Sequence, residues 1–352
     1  MSLMTCPRCG FAMVYRCHDV KFKIRPNYAN MWRYSEMLAT RPPQVVSYGE
    51  GLTPIVKVNG VLCKLENRNP TGTYADRASS VIVSGMRRKT YRVKYESDFA
   101  YSLAFYAKLA GSEVSVIAEP KELDPQDIIG IASLGGSLEF RGKPELQYEN
   151  PLSVEGLKTI AFELVESSPN AERVYVPSSS GLLAFSIAEG LNELEGAPPM
   201  EVTAVVVKGS PLPSFLGFSR TIKIVEIEPE EVINGLVRLA RRGFYIKFLA
   251  ASAYAYASTE ERGVALISGG IRKPQLKRPK SLEGASLKRR ILDVLSRGGD
   301  LSAYEIWKEM PQFTLRGVYS ALKSLEAEGS ICARYKMRGR RKIRIYELCG
   351  PD

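Results

Sequence analysis

Short apolar runs alternate with amphipathic stretches from Val56 to about Gly270. Each run is rich in β-branched residues and apolar throughout, as strands buried on both faces of a parallel sheet are. The stretches between the runs have the apolar spacing of helices. The alternation predicts a doubly wound α/β body. The clearest predicted strands are 115–118, 174–176, 204–207 and 264–267, and the clearest predicted helices are 102–109 and 182–194.

Residues 284–349 follow a different pattern. Amphipathic stretches at 286–295 and 314–328, and a shorter one from Leu301, predict three helices, with Ser302 and Thr314 as N-caps. Strands predicted at 330–333 and 343–348 flank a basic turn. This order of elements resembles the winged-helix domain of bacterial and archaeal transcription regulators. The side chains predicted to face its core are Leu287, Ile291, Leu292, Leu295, Leu315, Val318, Leu322 and Leu325.

Residues 272–281 contain two prolines and no apolar period, which is typical of an exposed linker. The chain of 352 residues is too long for one small core. We therefore expect four segments. They are a zinc-ribbon-like head at 1–19, the α/β body at 20–271, the linker at 272–283 and the winged-helix domain at 284–352.

The positive charge lies almost entirely in the last part of the chain. The net charge is +11, and residues 271–352 hold 19 Lys and Arg against 9 Asp and Glu. The body is therefore close to neutral. Such an asymmetry indicates a local contact with a polyanion, and we expect double-stranded DNA as the partner.

The first 17 residues contain three of the six cysteines. Cys6 and Cys9 form one half of a zinc knuckle, and Cys17 is a third candidate thiolate. The fourth ligand would be His18 or Asp19. A structural zinc ion is expected on Cys6, Cys9, Cys17 and His18, with a metal-free relic as the alternative. The cysteine spacing does not indicate a disulfide framework, which favours a reducing compartment.

No apolar run reaches the roughly 18–20 residues that a membrane-spanning helix needs, and no secretory signal is recognisable. Hydrophobic residues make up 45% of the chain and charged residues 25%, as in ordinary globular proteins. We expect a cytoplasmic protein without a membrane partner.

Three segments resemble threonine synthase, a fold-type-II enzyme that depends on pyridoxal phosphate (PLP). Residues 32–34 are similar to a WRY-type segment of that family, and residues 49–54 to its GEGxTP motif. Residues 64–77 are similar to KxExxNPTGSFKDR. The likeness extends from about residue 5 to residue 274. It implies a two-lobed body of the tryptophan synthase β type and a homodimer.

The same resemblance places Ala75 where the family has the lysine that forms a Schiff base with PLP. A methyl group cannot form an imine. Asp98 stands in place of an asparagine that contacts the cofactor, and Glu96 adds a second negative charge, so both disfavour PLP. The sequence therefore predicts that the chain is not an enzyme and that PLP is not its cofactor. The alternative is a relocated amine, with Lys89 and Lys94 as candidates.

Residues 177–181, here called the serine loop, follow a predicted strand and open a predicted helix. They match the phosphate loop of the family, and backbone N–H groups at a helix N-terminus bind anions. Ser268 matches the residue that contacts the ring nitrogen. We expect a phosphate-bearing or amino acid effector there, although a plain strand–helix connection would have the same pattern. The candidate ligand-binding residues are Ser178, Ser179, Ser180, Gly181, Asp98 and Ser268.

The third helix of the winged-helix domain is expected to enter the major groove, and the basic turn to contact phosphates or the minor groove. The candidate DNA-binding residues are Thr314, Arg316, Tyr319, Ser320, Lys323, Arg334, Lys336, Arg338, Arg340, Arg341 and Lys342.

Taken together, these features predict a DNA-binding transcriptional regulator with a threonine synthase-like body that dimerises and senses a metabolite. Three alternatives stay open. The first is a scaffold subunit of a replication, repair or chromosome complex, which would bind DNA without sequence preference. The second is a PLP-dependent lyase that uses a relocated lysine. In the third, the winged helix contacts protein or RNA instead of DNA.

Overall fold

Two sheets organise the first 271 residues of the computed structural model. The larger has six strands in the order β1-β2-β9-β6-β7-β8, and the smaller is a parallel sheet in the order β3-β4-β5. In the larger sheet only the β1–β2 pair is antiparallel. The strands are β1 (Ile55–Val58), β2 (Val61–Lys64), β3 (Thr90–Lys94), β4 (Glu113–Ile117), β5 (Ser137–Glu139), β6 (Arg173–Pro177), β7 (Glu201–Val207), β8 (Ile222–Ile227) and β9 (Gly263–Leu266).

Seven α-helices accompany these sheets in the described residues of this part of the chain, and together they confirm the predicted α/β fold. The predicted strands fall in β4, β6, β7 and β9, and the predicted helices in α2 and α5. β6 is a central strand between β7 and β9, and its apolar side chains are buried because helices α5 and α7 pack against it. The helices are α1 (Ala75–Met86), α2 (Phe99–Leu109), α3 (Pro125–Ser133), α4 (Pro151–Ser167), α5 (Leu182–Glu193), α6 (Pro229–Ala240) and α7 (Phe248–Ala257).

The chain divides into two compact units, Met1–Lys273 and Pro274–Asp352. The structure describes residues 6, 8, 12–168, 170–260, 263–271, 287–288, 290–296, 299–310, 313–339 and 341–349. The whole of the predicted linker at 272–283 therefore lies outside the described residues. Within the described residues, no helix is long and apolar enough to cross a bilayer.

A network of four buried charges lies where α1 meets α4. The Arg77 guanidinium donates to both oxygens of Glu66 and to both oxygens of Glu163, at distances of 2.6–2.9 Å. The Lys64 ammonium group lies 2.7 Å from Glu163. Each of these four side chains is at most 3% exposed. Two cations thus balance two carboxylates, which is the condition under which buried charges are tolerated.

The segment at 12–20 packs against the N-terminal unit. Arg16 lies 2.7 Å from Glu189 of α5, and the backbone N–H groups of Cys17 and Val20 donate to Glu193. The part of the predicted head that the structure describes is therefore anchored on the body.

The second unit contains a helical stretch at 290–296, two further helices and a three-stranded sheet in the order β10-β12-β11. Ser302 caps α8 in a reciprocal capping box with Glu305, and Thr314 caps α9 by accepting from the Gly317 N–H, as predicted. The elements are β10 (Leu301–Ser302), α8 (Ala303–Lys308), α9 (Leu315–Ala327), β11 (Ile331–Arg338) and β12 (Arg341–Leu348).

Two details of this unit differ from expectation. Leu301 lies in a short strand that pairs with β12, and not in a helix. Strands β11 and β12 continue through most of the basic segment until Arg338 pairs with Arg341, because each backbone finds a partner in the other strand. The predicted basic turn is therefore much shorter than the sequence suggested.

Cys332 and Cys349 form a disulfide at the open end of this hairpin. The cysteine spacing gave no indication of this pair. The two residues are 17 positions apart in sequence, and the register of the hairpin brings them together, since Cys332 pairs with Glu347 and Ile331 with Leu348.

Candidate functional site

A cavity of about 260 Å³ in the N-terminal unit gathers all six predicted ligand-binding residues. We call it the body pocket. The serine loop and Ser268 meet there because β6 and β9 are parallel neighbours, so the residues after their carboxyl ends lie at one edge of the sheet. The lining residues are Tyr74, Glu96, Ser97, Asp98, Tyr148, Pro177, Ser178, Ser179, Ser180, Gly181, Leu183, Lys247, Leu249, Ala250, Ser268 and Gly269.

The serine loop presents backbone donors at the N-terminus of α5. Within the described residues, no acceptor pairs with the N–H groups of Ser179, Ser180 or Gly181. Gly181 has φ +86°, and a Cβ there would lie 2.8 Å from the Leu216 side chain. Glycine is thus required for the loop to turn into the helix. Unpaired N–H groups at the positive end of a helix dipole favour an anionic ligand.

Tyr148 supplies a second polar group to the same cavity. Its side chain is buried, and its hydroxyl has no hydrogen-bond partner among the described residues. Burial raises the Tyr148 pKa, and Tyr74 contributes to the shift, but no hydrogen bond of ordinary geometry joins the two hydroxyls. A buried hydroxyl without a hydrogen-bond partner destabilises the folded protein, and a hydrogen bond to a ligand would remove this cost.

Asp98 is held in an unusual backbone conformation, with φ +71° and ψ −46°. Its N–H donates to the buried carboxylate of Asp127 at 3.1 Å, and its own carboxylate lies 3.0 Å from the ammonium group of Lys247. Non-glycine residues persist in this region of φ only where their surroundings hold them, and they concentrate at functional sites.

The sequence did not single out Lys247, although it supplies the amine of the body pocket. Lys247 precedes α7, and its N–H donates to the Gly269 carbonyl at 3.2 Å. Its ammonium group also contacts Ser97 at 3.0 Å and Asp124 at 3.3 Å. Lys247 and Asp98 are almost 150 positions apart, so only tertiary structure brings them together. The predicted charge conflict at Asp98 is relieved by this lysine.

Glu96 adds a carboxyl that is mostly protonated below about pH 7. Burial raises its pKa to about 7, and the charge of Glu149 adds to the shift. A proton is therefore bound by the folded protein and absent from the unfolded chain between about pH 4.3 and 7. This carboxyl contributes less negative charge to the body pocket than its type suggests.

We expect the Glu96→Gln protein to be more stable than the parent at pH 8, by about 1–2 kcal/mol after allowance for solvent screening. Because the folded pKa is raised, the parent loses stability as pH rises from about 4.3 to 7, and the glutamine removes this contribution. Urea unfolding of both proteins from pH 4.5 to 8 measures the effect. Parallel profiles over this range would contradict it.

Ala75, which the resemblance places at the lysine position, is the first residue of α1 and is buried. Lys89 and Lys94, the candidates of the alternative with a relocated amine, do not line the body pocket. The pocket residues nevertheless fit PLP. The serine loop would hold the phosphate, Ser268 lies where the resemblance places the contact to the ring nitrogen, and Lys247 offers an amine. The chemistry that PLP supplies when bound is an electron sink for amino acid substrates.

The outward face of α9 carries the candidate DNA-binding residues. Val318, Leu322 and Leu325 are buried in the core of the second unit, as predicted. Thr314 lies at the N-cap, where its hydroxyl serves the helix. The side chains exposed on the opposite face are Arg316, Tyr319, Ser320 and Lys323.

Several basic side chains of the hairpin contact acidic or aromatic side chains, which the sequence did not predict. Arg334 pairs with Asp300 at 2.6 Å and with Glu347 at 3.1 Å, and Lys336 pairs with Asp300 at 3.3 Å. Lys342 lies 4.7 Å above the Tyr335 ring. Arg340 lies outside the described residues, and so do the side chains of Arg338 and Arg341.

The predicted zinc site is only partly described. Cys6 and Cys17 are partly buried and His18 is exposed, whereas Cys9 lies outside the described residues. No group of three or more His, Cys, Asp and Glu side chains that could hold a metal occurs in the described part of the chain. Zinc on Cys6, Cys9, Cys17 and His18 thus stays a prediction.

Comparison with known proteins relates the body to amino acid enzymes. The threonine synthase of Methanocaldococcus jannaschii is 25% identical over 240 residues, which cover 55% of this chain and 57% of that protein. The biosynthetic L-threonine dehydratase of Salmonella typhimurium is 25% identical over 175 residues, which cover 43% of this chain and 34% of that protein. The chain thus spans little more than half the length of the threonine synthases it matches. No protein-family profile matches.

Solved structures show the same relation. A PLP-dependent aspartate racemase superposes with a TM-score of 0.54 at 14% identity, over 65% of this chain and 92% of that one. The processed form of threonine deaminase isoform 2 from Solanum lycopersicum gives a TM-score of 0.55 at 14% identity, over 78% of this chain and 99% of that one.

These comparisons overturn the expectation that the chain is not an enzyme. The relatives and the superposed structures are enzymes, which points toward enzyme activity. One argument of the sequence against PLP is also removed, because Lys247 relieves the charge conflict at Asp98. The body of this chain has the α/β fold of the fold-type-II PLP-dependent enzymes.

Proposed function

We propose that the protein is a DNA-binding transcriptional regulator whose second unit is a winged-helix domain. The observation that carries this proposal is the two-sided character of α9. Its apolar side chains are buried in the core, while Arg316, Tyr319, Ser320 and Lys323 are exposed along the other face. Two cations, an aromatic hydroxyl and a small hydroxyl suit phosphates and base edges of a major groove.

The distribution of charge supports the same proposal. Residues 271–352 carry a surplus of ten positive charges. Several hairpin cations are paired with acids, whereas no ion pair involves Arg316 or Lys323 within the described residues. The helix face would therefore supply direct contacts, and the hairpin would contribute at its tip.

The body would bind a phosphate-bearing effector in the body pocket. Three unpaired N–H groups of the serine loop provide donors for one anionic group, and Tyr148 lines the same pocket. As a homodimer, the protein would present two winged helices to a two-fold DNA site. Regulation then requires that the effector bind two arrangements of the dimer with different affinity.

We expect the double variant Arg316→Glu and Lys323→Glu to bind its DNA fragments at least ~100-fold more weakly than the parent, at roughly tenfold per side chain. The fragments would come from selection of sheared genomic DNA on the purified full chain. The matched control is Lys108→Glu with Arg241→Glu, which reverses two exposed cations of the body and should leave binding unchanged.

The selected fragments also separate the alternatives. A few roughly palindromic sequences would support a site-specific dimeric regulator. Retention of all fragments with steep salt dependence would favour the scaffold. Equal binding by both double variants, or no retention at all, would contradict the proposal and leave a protein-contact role for the second unit.

A second candidate function is that of a PLP-dependent lyase. The observation that favours it is the amine of Lys247, which lines the same cavity as the serine loop and Ser268. The relatives named above are a threonine synthase and an L-threonine dehydratase. Both functions need a phosphate-bearing ligand in the body pocket, so the two are compatible in one chain.

A further inference from the structure

We infer that Lys247 is the residue by which the body pocket holds a phosphate-bearing aldehyde covalently. The inference rests on the second candidate function and deepens it. Of the residues that line the pocket in the described part of the chain, Lys247 alone carries an amine. The position that the family resemblance assigns to the lysine is filled by Ala75, so the amine enters from α7 instead of α1.

Backbone contacts fix the position of the Lys247 main chain. Its N–H donates to the Gly269 carbonyl at 3.2 Å, and Ile246 pairs with Gly270. Lys247 is therefore tied to the chain that leaves β9, directly beside Ser268. A Cβ on Gly269 would lie 3.1 Å from an Asp98 oxygen and 4.0 Å from the Lys247 Cδ. Glycine therefore leaves space for the Asp98 carboxylate, while the Lys247 side chain lies at an ordinary contact distance.

Three polar groups then fix the position of the ammonium group at the end of the side chain. Its ammonium group lies 3.0 Å from Asp98, 3.0 Å from Ser97 and 3.3 Å from Asp124. The Lys247 side chain is 23% exposed, so it is neither sealed in the core nor free in solvent. A ligand that enters the body pocket would meet this amine.

The serine loop would bind the other end of the ligand, its phosphate. A phosphate there would accept from the N–H groups of Ser179, Ser180 and Gly181, which have no partner in the described part of the chain. Tyr148 lines the same cavity, and its buried hydroxyl has no partner in the described part of the chain. The pocket thus provides donors for an anion and an amine for a carbonyl carbon.

The chemistry is a condensation that needs no further reactant. The ammonium group first gives one proton to the carboxylate of Asp98 or Asp124. The free amine then attacks the aldehyde carbon, the carbonyl oxygen leaves as water, and a C=N bond joins Lys247 to the ligand. When an ammonium group faces two carboxylates, both proton acceptors are already in place.

The test uses PLP itself on the full-length protein. Borohydride adds hydride to the carbon of the C=N bond, water protonates the nitrogen, and the bond becomes permanent. Peptide mass spectrometry then locates the adduct. We expect occupancy at Lys247 to exceed that at any other lysine by about tenfold, with an absorbance band at the edge of the visible range before reduction.

Lys247→Arg is the informative variant, because it keeps a cation between Asp98 and Asp124 but cannot form an imine. It should lose the absorbance band and the adduct, yet still be stabilised thermally by PLP through the serine loop. Lys94→Arg, an exposed lysine of β3, is the matched control and should behave as the parent. Pyridoxal without its phosphate should form at least ~10-fold less adduct, since it lacks the anionic group.

The outcomes separate this inference from the functions proposed above. Thermal stabilisation by PLP without an adduct on Lys247 would overturn the inference and leave phosphate binding in place. Equal labelling of many lysines would also overturn it. An adduct on Lys247 in a protein that retains no DNA fragment would support the inference while contradicting the regulatory proposal.

Discussion

We expect Arg77→Met to lower the free energy of unfolding by about 3–5 kcal/mol at pH 8, the cost of breaking a buried ion pair from one side. The guanidinium makes four hydrogen bonds to Glu66 and Glu163. Without it, Lys64 alone would face two buried carboxylates. Methionine fills much of the same volume, so the decrease in free energy of unfolding reports the missing charge and not a cavity. Urea unfolding of the parent and the variant measures it.

The pH dependence identifies the cause. Burial opposes ionisation of Glu163, but the charges of Arg77 and Lys64 hold its pKa at about 2. In the variant only Lys64 remains to lower the pKa of the buried carboxyls, so one of them would take up a proton more readily. The difference in free energy of unfolding between parent and variant should therefore narrow as pH falls from 8 to 5.

The control is Arg88→Met. Arg88 pairs with Glu145 at 2.7 Å, but the two side chains are 33% and 54% exposed, so this change should cost at most about 1 kcal/mol. If Arg77→Met and Arg88→Met lowered the free energy of unfolding by similar amounts, burial would not determine how much the network stabilises the fold.

We expect Gly156→Ala to destabilise the N-terminal unit by about 3 kcal/mol, near the upper end of the usual cost of overpacking. A Cβ on Gly156 of α4 would lie 2.3 Å from the Arg77 carbonyl oxygen and 2.9 Å from the Ala78 Cα. These are backbone atoms of α1, so no side-chain rotation relieves the contact. The two helices would have to separate, which also disturbs the charge network. Thermal and urea unfolding report the change.

Gly85→Ala is the comparison for this variant. Gly85 lies in α1, and its added Cβ would meet the Thr40 and Leu152 side chains at 3.5 and 3.8 Å, ordinary contact distances. Helix propensity then favours alanine by up to about 1 kcal/mol. Opposite signs for the two substitutions would establish that the close approach is specific to Gly156, whereas a tolerated Gly156→Ala would contradict the packing described here.

The order of elements in the body could be predicted because its strands are buried on both faces. Val174–Val176 are apolar without interruption, and such a run has few alternatives to a central parallel strand. The caps Ser302 and Thr314 were predictable for a local reason, since the hydroxyl and the N–H that it accepts from are three residues apart.

The pocket could be predicted only where the residues follow a strand. Ser178, Ser179, Ser180 and Ser268 come directly after β6 and β9, and parallel strands place such residues together. Lys247 and Tyr148 lie elsewhere in the chain, and no local pattern indicates that they face one cavity. The sequence also suggested that Asp98 was an unbalanced charge, because its partner lies far along the chain.

The second unit shows a similar limit. Its helices were predicted from apolar periodicity, but the length of its hairpin was not, because Arg334, Lys336 and Lys342 are as hydrophilic in a strand as in a loop. The pairing of backbone groups determined the length of both strands. Likewise, the Cys332–Cys349 bond depends on a register that the sequence does not display.

That register also determines where a reporter can be attached. Arg338 pairs with Arg341 at the turn, and Ile331 pairs with Leu348 at the opposite end, where Cys349 is bonded to Cys332. Eight paired residues at roughly 3.3 Å each separate these ends by about 25 Å. A fluorophore or surface-immobilisation tag placed after Cys349 would leave from the end away from the basic tip. A tag at the Cys332–Cys349 end can therefore immobilise the protein while the turn of the hairpin stays open to solution.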